Sequence, residues 1–78
     1  MKIYLNIKSK RLEKKMTQQE LAVKSDIHPQ RISEYERGLY IPSIDKIIQI
    51  AYALDCKIDD LVSYSDYVKT WQKDRFNK

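Results

Sequence analysis

The apolar positions of this 78-residue chain fall into short clusters at helical spacing, separated by polar breaks. The clearest is Ile44, Ile47, Ile48, Ala51 and Leu54, whose recurrence after three, four and seven residues predicts the buried face of a helix. Pro42 and Ser43 precede it, with Ser43 as the expected N-cap. Ile58, Leu61 and Val62 predict a short fifth helix beyond Asp55 and Cys56. Upstream, a first helix is expected over about residues 6–15, with Ile7, Arg11 and Lys14 along one side and Leu12 toward the core. Thr17 opens the second helix as N-cap, and Glu20 three residues on completes a capping box, with Leu21 and Ala22 facing inward. That helix stops near Ser25. Asp26 then stands in the break, a residue that tolerates positive φ better than most, and Ile27 is expected as the buried residue of the turn. Pro29 suits the first position of a third helix, where its missing N–H is not needed, and Gly38 closes that helix. Met1 to Leu5 alternates too briefly to define an element. Tyr64, Tyr67, Val68 and Trp71 return at helical spacing and allow a sixth, amphipathic helix.

The third helix separates into two sides at about 100° per residue. Ile32, Tyr35 and Glu36 cluster on one; Gln30, Ser33, Glu34 and Arg37 cluster on the other. A helix anchored by Ile32 and Tyr35 must turn that polar stripe outward. On an arbitrary surface helix such a stripe is a solvated face. Here the capping box, the turn and the closing glycine around it favour a reading surface. Amide and carboxylate side chains suit base edges: Gln pairs bidentately with adenine, and Glu accepts from the cytosine amino group.

Composition narrows the picture. The length allows one domain with one small core. With 42% hydrophobic and 33% charged residues, one glycine and two prolines, the chain reads as soluble and all-α. Its single cysteine, Cys56, excludes an internal disulfide and fits a reducing compartment and a packing role. With His28 the only histidine, no metal constellation forms, and no cofactor is expected. No leader and no apolar run long enough to span a bilayer is visible, so a cytoplasmic protein without membrane attachment is expected. The net charge of +4 is uneven: residues 1–16 hold six Lys or Arg against Glu13 alone. A basic segment over a neutral body suits docking of a polyanion on one face. No activated nucleophile or phosphate-cradling loop suggests an enzyme.

Residues 17–38, TQQELAVKSDIHPQRISEYERG, resemble the helix-turn-helix of the lambdoid-phage repressor and Cro (XRE-type, Cro/C1) regulators of bacteria and phages. The likeness covers roughly residues 6–62, and its most specific part is the E-R-G ending after I-S-x-Y. It implies a five-helix, lambda-repressor-like DNA-binding domain over residues 1–63, with residues 64–78 as a basic, aromatic tail. It departs from the family's pattern at Asp26 and Asp55, where glycine is usual, and at Lys57, where a Ser or Thr cap is usual. By resemblance, Pro29, Gln30 and Glu34 are expected at bases, with Ser33 and Arg31 at the margin and His28 as N-cap and neighbouring polar contact. Phosphate contacts are implied for Gln18, Lys10 and Arg11, more weakly for Lys14, and for Arg31, Arg37, Tyr40 and Ser43 at the far end. The family also pairs the acid matching Glu36 with the arginine matching Arg11. One such domain reads about half a site, so a homodimer on a two-fold-symmetric operator is expected, with Tyr64, Tyr67 and Trp71 either as its candidate contacts or in a tail folded back over its own core. The expected function is a sequence-specific transcription regulator of double-stranded DNA, a nucleoid-associated repressor. The alternative is an antitoxin whose tail binds a partner protein while its helices bind its own promoter.

Overall fold

A computed structural model describes residues 5–62. In chain order these form α1 (Ile7–Glu13), α2 (Gln18–Ser25), α3 (Pro29–Glu36), α4 (Ile44–Ala53) and α5 (Ile58–Leu61). The capping box of α2 is complete: the Glu20 N–H donates to Thr17 Oγ1 at 3.0 Å, and the Thr17 N–H to Glu20 Oε1 at 3.2 Å. At α3, His28 takes the cap by accepting the Gln30 N–H on Nδ1 at 3.1 Å, with Pro29 following as first helical residue. Ser43 precedes α4 without capping its backbone; its hydroxyl donates instead to the Asp45 carboxylate. Lys57, short of a capping side chain, is compensated at α5, where Asp60 accepts the Lys57 N–H at 3.1 Å.

The first four helices end in the same way. One residue with positive φ follows each (Lys15, Asp26, Gly38 and Asp55), and the next N–H reaches back five residues. The bonds are Met16 to Arg11, Ile27 to Ala22, Leu39 to Glu34 and Cys56 to Ala51, all 3.0–3.1 Å. Only Gly38 adopts this conformation without a Cβ penalty. A Cβ there would meet no atom within 4 Å, so backbone conformation alone calls for glycine.

Ile7, Leu21, Ile32, Ile50, Leu54 and Leu61 are fully buried, each worth about 1.5–3 kcal/mol of transfer free energy. Ala22 and Ala51 keep α2 and α4 close, and α3 packs across α2 with Ile32 and Tyr35 inward. The two ends of the described chain meet: Leu5 bridges Val62 antiparallel, and the Asn6 N–H donates to the Leu61 carbonyl at 2.7 Å. Cys56 lies half-buried against the core, and burial pushes its thiol pKa up, as suits a packing residue.

Two expectations fail. Leu12 faces solvent, because the inner side of α1 is taken by Ile7 and Arg11. In α4 the inward face is Ile47, Ile50, Ala51 and Leu54, while Ile44 and Ile48 are 64% and 51% exposed. The helix is rotated toward α2, and the Gln49 amide fixes that rotation by donating to the Ser25 carbonyl at 2.8 Å. The sixth-helix expectation lies outside the described residues.

Candidate nucleic-acid interface

The α2–α3 pair holds its outer side chains by a network set underneath. Arg11 donates through Nε and Nη2 to the two oxygens of Glu36, at 2.7 and 3.1 Å, and through Nη1 to the Met16 carbonyl at 2.7 Å. Both side chains are nearly solvent-free, at 9% and 2% exposure. The hydrogen bonds to Glu36 raise the guanidinium pKa against the opposing effect of burial, so the cation persists. Gln18 joins them, its amide donating to Glu36 Oε1 at 3.0 Å. One carboxylate at the end of α3 therefore ties α1 and the start of α2 to it.

This network redistributes the expected phosphate contacts. Arg11 is inside the protein with three of its N–H directions engaged, which gives it a structural part in this network. The Gln18 amide is turned to Glu36, while the first backbone N–H groups of α2 have no partner within the helix's own ladder. Lys10 is half-buried and reaches Glu13 at 3.3 Å, and Lys14 is exposed. Arg37 and Tyr40 stand exposed beyond α3, whereas Ser43 is exposed but engaged with Asp45. The Ser43 hydroxyl holds the Asp45 carboxyl below its ordinary pKa.

Along the outer side of α3, His28 and Gln30 are exposed, while Pro29, Ser33 and Glu34 are half-buried. Arg31, expected at the margin of the base-reading set and at phosphate, lies among these residues with two partners of its own. Its Nη1 reaches Glu34 Oε1 at 3.1 Å, and its guanidinium carbon lies 5.4 Å from the centre of the Tyr40 ring. His28, Gln30, Arg31, Glu34 and Tyr40 line one open concavity of about 370 Å³. The three-residue spacing along α3 itself points to the Arg31–Glu34 pair; the approach of Tyr40 from the next loop has no local signal. Tyr64, Tyr67 and Trp71 lie outside the described residues. Those residues contain no cluster suited to a metal ion and no helix long and apolar enough to cross a membrane.

Across residues 7–61 the chain matches the helix-turn-helix family profile, and it belongs to that family, in its XRE (Cro/C1) type. The family and the structural neighbours are DNA-binding regulators of transcription and not enzymes. The fold is similar to the restriction-modification controller protein C.AhdI from Aeromonas hydrophila, at 27% identity and a TM-score of 0.69 over 70% of this chain and 83% of that one. It is also similar to the clp gene regulator ClgR from C. glutamicum, at 33% identity and a TM-score of 0.66, covering 69% of this chain and 70% of that one. A mutant of the controller protein C.Esp1396I gives 31% identity and a TM-score of 0.63, over 91% of this chain and 84% of its own. Among curated protein sequences compared, none matches.

Proposed function

We propose that the chain is a sequence-specific repressor that binds a two-fold-symmetric operator as a homodimer. The observation that carries this reading is the division of α3 into a buried side, Ile32 and Tyr35, and an outer side with Gln30, Arg31 and Arg37 exposed. In that arrangement Gln30 is the adenine reader, Pro29 offers apolar contact to a thymine methyl, and Ser33 flanks them. Lys10, Arg37 and the start of α2 meet phosphates on either side and fix the register.

A second copy of the chain has a surface to meet. Ile41, Ile44, Ile48 and Tyr52 form an exposed apolar stripe that begins just after α3 and runs along α4. Because the stripe starts where the recognition helix ends, a copy docked across it by a two-fold axis brings a second α3 to the same side of the duplex. Two successive major-groove segments, roughly 34 Å apart, are then read together.

Selection from a randomised duplex pool tests the reading. The expected product is a palindrome with half-sites about one helical turn apart. Affinity should fall steeply with salt, by a log–log slope near −0.9 for each phosphate neutralised. Failure to retain any duplex at low ionic strength would overturn the function. Asymmetric single half-sites bound by a monomer would overturn the dimer, and co-purification of a protein encoded beside this one would favour the antitoxin alternative.

A further inference from the structure

We propose that Arg31 is the guanine-reading residue of this interface, aimed by Glu34 and Tyr40. The inference rests on the function above and names a reader within it.

The exposures run against a reading role for the carboxylate. Glu34 keeps 13% of its side chain exposed, with one oxygen engaged by Arg31, whereas Arg31 keeps 56%. With one oxygen held by Arg31 and little of its side chain exposed, Glu34 offers a base edge less than the guanidinium does. The guanidinium, by contrast, has five N–H donors, and the one contact made to it by a described carboxylate uses Nη1. Its Nε and Nη2 edge keeps two parallel donors, the fork that matches O6 and N7 of guanine.

The supports on two sides of Arg31 make that fork directional. Glu34 lies one helical turn on and holds one end of the guanidinium; Tyr40, arriving from the loop beyond α3, offers its ring face within cation–π range. A side chain ordered before binding loses less rotamer freedom on contact. A phosphate contact gains little from such a device. It needs charge, and the adjacent carboxylate largely cancels the charge of Arg31. What survives the pairing is geometry, and geometry is what base reading uses. Gln30 lines the same concavity, so the two readers address neighbouring base pairs.

Randomised-pool selection and salt titration of the full chain, compared with Arg31→Lys, Glu34→Ala and Tyr40→Phe variants, test the assignment. Arg31→Lys keeps the charge and loses the fork. It should flatten a guanine preference at one position per half-site, roughly 5- to 150-fold, with the salt slope unchanged. Glu34→Ala should weaken that preference but keep it, and Tyr40→Phe, which retains the ring, should leave it intact. Three results would overturn the proposal. Arg31→Lys could keep the selected sequence unchanged. Glu34→Ala could abolish the preference while Arg31→Lys spares it, making Glu34 the reader. Tyr40→Phe could abolish the preference, making the hydroxyl and not the ring face the contact that matters. Wild-type protein that retains no duplex would instead sink the function, and this assignment with it; thermal melts separate any of these effects from misfolding.

Discussion

The helix α3 carries two arginine–glutamate pairs that work in opposite ways. The Arg11–Glu36 pair lies under the helix, nearly solvent-free, bidentate, and extended by Met16 and Gln18. The Arg31–Glu34 pair lies on the outer side, joined at a single oxygen, with the arginine more than half exposed. In the first, almost every donor and acceptor is engaged, and the product is a fixed angle between α1, α2 and α3. In the second, donors are left over, and the product is an aimed side chain. The same two residue types thus form a buried tie or leave a guanidinium presented, according to how much of it the protein itself engages.

Removing the carboxylate from each pair breaks this comparison most sharply. Glu36→Ala leaves a buried cation without its partner and should cost about 3–5 kcal/mol, close to the whole stability of a small domain. Glu34→Ala should cost under about 1 kcal/mol, since its partner is solvated. Urea denaturation of the two variants checks both, and equal losses would show that burial does not separate the pairs. Replacing both Arg11 and Glu36 by apolar residues of similar size should recover most of the loss.

Next in size is Gln30→Ala, expected to cost about 1–3 kcal/mol on the selected operator and little on random duplex. Titrations against both duplexes decide it: equal losses would move Gln30 from reading to general affinity. A smaller effect is expected at the turn between α2 and α3. Asp26 has φ +57°, so Asp26→Gly should stabilise the fold by up to about 1 kcal/mol without changing the site selected. A lower melting temperature would show that the Asp26 side chain contributes more than its backbone strain costs.

The smallest effect is a pH dependence. The Asp45 carboxyl titrates below its ordinary range because the Ser43 hydroxyl donates to it. A lowered folded-state pKa gives stability that is present above the unfolded value and is lost as pH falls through the folded one. Ser43→Ala should therefore lower the melting temperature slightly at neutral pH, with the difference closing in acid. A gap that persists in acid would point to another cause.

Local signals were the most legible. Thr17 with Glu20, Pro29 and Gly38 each act on backbone within one turn of themselves, and each marks an observed boundary. The inward placement of Ile32 and Tyr35 follows from helical angle alone. The same reasoning misplaced Leu12, Ile44 and Ile48. Periodicity defines a face more than a quarter-turn wide, and which edge of it is covered depends on the neighbouring helices. For α4 the bond from Gln49 to Ser25, 24 residues away, decides that edge. The contact of Arg31 with the Tyr40 ring lacked a local signal for a similar reason, since it is made across a turn.

What the amino-acid order by itself determined, then, is the helical elements, their ends and the identity of the residues on the outer side of α3, because these depend on contacts within a few positions. Tertiary structure decided which arginine is consumed and which is presented, and which side of α4 is left apolar and bare. Those outcomes depend on burial and on partners distant in the chain: Arg11 meets Glu36 across 25 positions and is enclosed there, whereas Arg31 pairs within one turn and stays more than half exposed.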